Sequence, residues 1–361
     1  MAEVLLKELS NADINWMIAA GHQEEVTAGT VLVQLCKDPD MIYLLLDGML
    51  TIVVPSAESD STGSSLAVNN CQDREITQLS RGEIVGETSL FDLCFMPAVV
   101  RAAVNSLVLA IPRQQLVTKL EQDINFSTHL YRAIALMLSE RLRQILEMPG
   151  QVRAINDQPM KEALFVFGEL RDSDVDWLIT VGEVKPLAPG TILIQAGRPV
   201  EALDFILDGL LLITVPEGDY NPLTLCFERQ ERDASFGKAI ANLTRGEISG
   251  AISFLDFRPL PVTVRAVHHS LVLSISRQAL TTKLQQDMGF ASRFYRVLAI
   301  QLSNSLQMVM SRLGCHQNMY DRPQGMDEAV EYDDELDLDS LQQVSQGAAR
   351  FNWMLKRLGV L

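Results

Sequence analysis

Basic residues are scarce and scattered in this chain. It holds 30 Lys and Arg against 46 Asp and Glu, a formal net charge of −16, and nowhere gathers Lys or Arg into a block. A protein that binds the nucleic-acid backbone needs such a cluster, so nucleic acid is not expected as a partner. Cysteine is equally thin. Cys36, Cys71, Cys94, Cys226 and Cys315 form an odd, dispersed set with no C-x-x-C pair, which suits a reducing compartment better than a disulfide framework. Long apolar runs are missing too. The most hydrophobic stretch, MIYLLLDGMLTIVV, is broken by Asp47 and falls short of the ~20 residues that cross a bilayer. The opening MAEVLLKELSN carries too many charges for a secretory signal. These absences predict a cytoplasmic protein with no membrane span. Catalytic signatures are lacking as well: no G-x-S-x-G, no Walker A and no Cys–His arrangement occurs. His268 and His269 are adjacent, and on a strand they would point to opposite faces, a poor basis for a metal site. No enzyme and no metal are expected.

What the chain does have is repetition. LSNADINWMIAAG (Leu9–Gly21) is answered by LRDSDVDWLITVG (Leu170–Gly182), and AGTVLVQ (Ala28–Gln34) by PGTILIQ (Pro189–Gln195). LLLDGMLTIVVP (Leu44–Pro55) matches FILDGLLLITVP (Phe205–Pro216), and RQQLVTKLEQDINF (Arg113–Phe126) matches RQALTTKLQQDMGF (Arg277–Phe290). Two long repeats indicate duplicated domains and not a solenoid. The divisions expected are 1–150 for the first domain, 160–314 for the second, 315–340 for an acidic linker and 341–361 for an amphipathic C-terminal segment.

Periodicity runs in the same order within each repeat. Leu9, Ile14, Met17 and Ile18 have helical spacing. Short strand-like runs follow at Thr30–Leu35, Met41–Leu46 and Met49–Val54, with Asp47-Gly48 and Asp208-Gly209 as hairpin-turn signals. Ser56–Asn70 reads as a loop. After a last strand at Leu107–Ile111, a helical tract over about Arg113–Glu147 carries Leu130, Ile134, Met137, Leu138, Leu142 and Ile145 on one stripe. The predicted fold class is α+β: two jelly-roll-like β-barrel domains, each with N- and C-terminal helices, plus a C-terminal tail.

One stretch stands out. RGEIVGETSLFDLCFMPAVVRA (Arg81–Ala102) recurs as RGEISGAISFLDFRPLPVTVRA (Arg245–Ala266). Each copy joins a Gly-rich turn, a short helix-like run and a strand ending Val-Arg-Ala, an arrangement that can cradle an anion on converging backbone N–H groups.

In this order, A-G-T (Ala28–Thr30), L-L-D-G (Leu45–Gly48), R-G-E-I-V-G-E-T-S-L (Arg81–Leu90) and V-R-A (Val100–Ala102) resemble the cyclic nucleotide-binding domains of bacterial catabolite-activator proteins and protein kinase A regulatory subunits. The resemblance spans both repeats and implies a phosphate-binding cassette. Its pattern is Gly-Glu, an Arg ten positions after the Gly, then Val-x-Ala. The Glu holds the ribose 2′-OH and the Arg holds the cyclic phosphate.

In the first repeat Gly86 and Glu87 match, with Thr88 and Ser89 following, but Met96 takes the place of the Arg. Glu87 is either a ribose ligand or a helix-start carboxylate that favours the dipole. Thr88 and Ser89 are either anion donors or ordinary helix-start residues. In the second repeat Gly250 matches, followed by Ala251 for the Glu, Ile252 and Ser253. Leu260 replaces the Arg, and Arg258 lies two positions before it. Since a hydrogen bond to a charged group is worth about 1.5–3 kcal/mol, loss of the Arg weakens a cyclic nucleotide by ~10–100-fold. The second pocket is therefore expected to be degenerate, and a cyclic nucleotide, cAMP or cGMP, is expected at most in the first domain.

The implied role is a non-enzymatic regulatory or adaptor protein. The rival is a structural scaffold whose pockets are filled by side chains such as Met96 and Leu260. No effector domain follows the repeats, so a protein partner is expected, reached through Leu341–Leu361. There Leu341, Val344, Ala348, Phe351, Met354 and Leu358 make an apolar stripe that either docks outward as a helix or folds back. Before it, Asp327–Asp339 carries eight acidic residues and no basic one, a composition expected to stay disordered. The two-repeat plan is also similar to a bacterial family associated with bacteriocin-type export systems, which implies a transport-associated role.

Overall fold

The computed structural model of the protein describes residues 2–34, 39–56, 72–91, 98–147, 163–215, 237–313 and 338–361. The chain forms two compact units, Met1–Ile145 with Leu302–Arg322, and Leu146–Gln301 with Pro323–Leu361.

The first unit opens with helices α1 (Ala2–Glu8) and α2 (Asn11–Ala20). Eight strands follow: β1 (His22–Val26), β2 (Val31–Val33), β3 (Met41–Asp47), β4 (Leu50–Ser56), β5 (Gln72–Leu79), β6 (Ile84–Val85), β7 (Val99–Ala102) and β8 (Ser106–Pro112). They make two antiparallel four-stranded sheets in the orders β1-β8-β3-β6 and β2-β7-β4-β5. Helices α3 (Arg113–Gln122) and α4 (Ile124–Glu147) come next. The expected single tract is broken at Asp123, whose carboxylate takes the N–H groups of Asn125 and Phe126 at 3.1 and 3.0 Å and so starts a second helix. The whole expected stripe on α4 is buried.

The second unit repeats the plan. Its helices α5 (Ala163–Glu169) and α6 (Asp172–Val181) precede β9 (Glu183–Leu187), β10 (Ile192–Ile194), β11 (Ala202–Asp208), β12 (Leu211–Val215), β13 (Lys238–Leu243), β14 (Ile248–Ser249), β15 (Thr263–Ala266) and β16 (Ser270–Ser276). The sheets are β14-β11-β16-β9 and β10-β15-β12-β13. A helix α7 (Ala251–Asp256) stands between β14 and β15, α8 (Arg277–Gln286) and α9 (Met288–Leu313) follow β16, and α10 (Leu338–Arg357) closes the chain. This is the predicted α+β class, with each eight-stranded barrel flanked by helices.

Two local expectations need correction, and one strand went unpredicted. Asp47-Gly48 and Asp208-Gly209 are not hairpin turns, because β3 and β4 lie in different sheets, as do β11 and β12. The chain crosses between sheets there, and a Cβ on Gly48 would lie 2.3 Å from Ser106 Oγ. Gly48 also has φ of +94°, so only glycine fits the crossing. Strand β5 has little signal in the sequence, since QDREITQL carries only Ile76 and Leu79 as inward apolar residues. His268 and His269 sit exposed in the bend between β15 and β16, not on a strand. Among the described residues no group of His, Cys, Asp and Glu is arranged to hold a metal ion, and no helix is long and apolar enough to cross a membrane. The loop Ser56–Asn70 lies outside the described residues apart from Ser56, and so does the acidic run Asp327–Asp339 apart from Leu338 and Asp339.

The opening helices are pinned to the closing ones by the same device in each unit. Asp13 accepts the Ser10 N–H at 2.8 Å and meets His129 Nδ1 at 2.8 Å. Asp174 accepts the Arg171 N–H at 2.8 Å and two hydrogen bonds from Arg293, at 2.7 and 2.9 Å. Trp16 packs edge-on against Phe126 and Trp177 against Phe290, with ring centroids 5.1 and 5.4 Å apart. Both tryptophans thus serve packing, as their repeated position predicts. Removing a buried partner strands its counter-charge, so Asp174→Ala is expected to cost about 3 kcal/mol, with loss of the α6 cap included. Urea denaturation should show a larger loss for it than for Asp13→Ala, whose partner is a histidine.

Candidate functional site

The two cassettes begin at the same turn. In the first unit Arg81-Gly82-Glu83 leads into β6, whose Val85 pairs with Tyr43 of β3. Glu83 is buried, and its Oε2 accepts the Ser80 N–H at 2.6 Å and the Ser80 hydroxyl at 3.3 Å. Gly82 donates to the Leu45 carbonyl at 2.8 Å, which ties the turn to β3. Gly86 follows with φ of +86°, and a Cβ there would press on the Met41 carbonyl at 3.1 Å. The left-handed residue aims the next four peptides into a short 3₁₀ helix, Glu87–Phe91. In the second unit Gly250, with φ of +93°, caps α7 in the same way.

Glu87 is not open to solvent. Its side chain is 3% exposed and lies 2.5 Å from Nη1 of Arg141, itself 1% exposed. Arg141 comes from α4 and donates Nη2 to the Ile84 carbonyl at 2.5 Å. Its Nε faces Glu83 Oε1 at 3.7 Å. One guanidinium thus meets two carboxylates and a carbonyl of the same short stretch, the fork geometry that suits arginine to buried pairing.

The other expected residues of this cassette fall as follows. Thr88 and Ser89 are buried, and the Ser89 hydroxyl is committed to the Gly86 carbonyl at 2.7 Å. Met96 lies outside the described residues.

The second cassette keeps the frame with different contents. Ala251 and Ser253 are buried, Ile252 is half-buried and Leu260 is 3% exposed, so Leu260 fills space where the expected cation would stand. Arg258 does not turn inward. It is exposed and pairs with Asp256, Nε and Nη2 both at 3.1 Å from Oδ2. The residues present do not fit a cyclic phosphate and ribose in the family manner.

Glu247, the counterpart of Glu83, still closes the turn through the Thr244 N–H and hydroxyl, but its Oε1 has no hydrogen-bond partner among the described residues. Burial pushes its carboxyl up to about 7, against the pull of the Thr244 hydrogen bonds. The Ile248 carbonyl is served by Gln301 Nε2 at 2.5 Å, a neutral amide in place of a guanidinium.

Two sets of contacts escape a reading of the sequence. Arg141 reads as one more polar position on an apolar helix. Arg113 and Arg277, at the strand-to-helix junctions, align between the repeats without a role that spacing can assign. Arg113 Nε donates to the Ser89 carbonyl at 2.8 Å. Arg277 donates to the Ser253 and Phe254 carbonyls at 2.9 and 3.1 Å and to Val200. Each arginine caps the cassette helix from the first residue of the following helix, and cations are favoured at such a C-terminal end. The equivalence of the RQQL and RQAL motifs was the available signal.

Comparison with known proteins places this geometry. A family model described as "Cyclic nucleotide-binding domain" matches residues 23–123 and 184–287. A solved regulatory domain of Toxoplasma gondii PKA with cAMP is similar at 13% identity over 80% of this chain and 89% of that one, with a TM-score of 0.27. The regulatory subunit of a cAMP-independent protein kinase A from Trypanosoma cruzi, bound to guanosine, is similar at 16% identity over 80% and 85%, with a TM-score of 0.27. The Thermus thermophilus catabolite activator protein is similar at 18% identity over 49% and 70%, with a TM-score of 0.31. No curated protein matches. The two family-model matches bear out tandem cyclic nucleotide-binding domains, and nothing found supports the likeness to the export-associated family.

Glu247 offers a direct test of the second cassette. A carboxyl raised in the folded state binds its proton more tightly than in the unfolded chain, so stability is lost as pH rises from about 4.5 through about 7. Glu247→Gln should leave the fold unchanged at pH 5 and stabilise it at pH 8 by about 3 kcal/mol. Thermal melts across that range check the expected crossover.

Proposed function

Because the chain belongs to the cyclic nucleotide-binding domain family, we propose that it is a non-enzymatic, cytoplasmic regulatory protein that senses a nucleotide through its first domain and acts on a protein partner. The observation that carries this reading is the buried Glu87–Arg141 pair. In the family manner Glu87 takes the ribose 2′-OH of a cyclic nucleotide such as cAMP or cGMP. Here the same carboxylate already holds α4 through Arg141. A ligand that draws on Glu87 competes with Arg141, and α4 responds. The ligand shifts that equilibrium only by its differential affinity for the paired and unpaired arrangements. The second domain has no such carboxylate, since Ala251 stands at that position.

The scaffold reading rests on the same pair taken as permanent. A carboxylate 3% exposed, with its counter-ion at 2.5 Å, is a filled site, and breaking a buried ion pair costs about 3–5 kcal/mol.

Calorimetric titration of the full chain with cAMP and with cGMP, up to millimolar ligand, separates the two. Sensing predicts weak, saturable heat for the native chain, at least ~10-fold tighter binding for Arg141→Gln, in which Glu87 is released, and no binding for Glu87→Ala. Absence of heat in both the native chain and Arg141→Gln would establish the scaffold.

A further inference from the structure

Helix α10 lies along α5 within the second unit, and the contact is built like a ligand in a groove. Phe351, Met354 and Leu355 are fully buried, and the Phe351 ring meets that of Phe167 at 4.8 Å between centroids. The Arg245 guanidinium, at the head of the second cassette turn, lies 5.4 Å over Phe351. Ser345, Gln346, Ala349, Asn352 and Lys356 face solvent, so only one stripe of α10 is engaged.

The rim of the contact is ionic. Arg350 donates to Asp172 Oδ1 at 2.8 Å and to the Phe167 and Gly168 carbonyls at 3.3 and 2.9 Å, closing the C-terminal end of α5. One helical turn beyond the buried stripe, Arg357 stands 3.4 Å from Asp176. Even with α10 in place the Asp172 side chain is 81% exposed, so the groove keeps an acidic edge toward solvent. The chain from α9 to α10 runs through residues 314–337. A segment held to its groove through intervening chain competes at an effective concentration on the order of mM. A partner must overcome that, or meet a groove that α10 has left.

We propose that the α5–α6 face is a helix-docking groove which α10 occupies as an internal ligand. The same groove accepts an amphipathic helix of a partner protein, with a basic residue ahead of an aromatic–aliphatic stripe and a second basic residue beyond it. Asp172 and Asp176 recognise the two cations, the Phe167 face takes the aromatic, and the open carbonyls of α5 take the first guanidinium. This inference deepens the proposed function by naming the class of partner, and its test needs no nucleotide, so failure of one does not entail failure of the other.

The probe is a fluorescein-labelled peptide of residues Leu338–Leu361, titrated by fluorescence anisotropy into the full chain. In Phe351→Glu/Met354→Glu the internal helix is expelled, and the peptide is expected to bind saturably, at least ~10-fold tighter than to the native chain. Arg350→Glu, which leaves the apolar stripe intact, should show the same direction and guards against misfolding of the double variant. Adding Asp172→Lys to either variant should weaken the peptide at least ~10-fold. Variants with native circular dichroism that do not bind the peptide would overturn the proposal. So would equal binding by native and variant chains, or indifference to Asp172→Lys. A mixed dimer of native and double-variant chains on size exclusion would assign the groove to a second copy of this chain and overturn the separate partner.

Discussion

A guanidinium that is 1% exposed has to find its acceptors inside the protein, and among the described residues Arg141 draws on one turn. Glu83 gives one oxygen to Ser80 and holds the other 3.7 Å from the arginine Nε, the Ile84 carbonyl lies at a sheet edge, and Glu87 opens the cassette helix. The arginine therefore does more than neutralise a carboxylate. It fixes α4 against the strand that leads into the cassette, at a point where β3, β6 and the 3₁₀ helix meet. Removing it would leave two carboxylates in the interior, a larger penalty than the loss of one contact.

The second repeat shows that the fold does not require this pair. Ala251 stands where the first repeat has Glu87, and Ser305 aligns with Arg141. Both members of the pair differ together. The turn still closes, with Glu247 on Thr244, and the left-handed glycine still launches the cassette helix. A neutral amide from Gln301 supplies the hydrogen bond to the Ile248 carbonyl. Without a cation beside it, Glu247 keeps its proton to about neutral pH. The same frame therefore stands without a buried carboxylate–guanidinium pair at these positions.

Much of this is legible in the residues themselves. The repeats, most of the barrel strands and the buried stripe of α4 follow from pattern alone, and the loss of both polar anchors in the second cassette follows from the resemblance to the family. The misses have physical causes. Arg141 is separated from Glu87 by 54 residues, and a helical stripe gives no sign of which flanking cation is drawn inward. Asp47-Gly48 looks like a hairpin turn because glycine serves both a tight turn and a close crossing, here against Ser106. Strand β5 carries polar residues along most of its length, so alternation is faint. The amphipathic character of the C-terminal stripe is plain from its spacing. Its destination depends on Phe167 and Asp172, more than a hundred residues away in sequence.

Arg113 and Arg277 refine what a ligand has to accomplish. Each joins the last carbonyls of a cassette helix to the first residue of α3 or α8, with no ligand needed to make the link. The cassette and the helical tract are thus coupled in both repeats by the protein alone. In the first repeat α4 has a second attachment, through Arg141, and under the proposed function this is the one that a ribose hydroxyl contests. Coupling between ligand and helix is then bounded by what one charge-assisted hydrogen bond is worth, about 1.5–3 kcal/mol, or roughly a 10–100-fold shift in the helix equilibrium. Under the proposed function a shift of that size belongs to the one repeat that has kept its carboxylate.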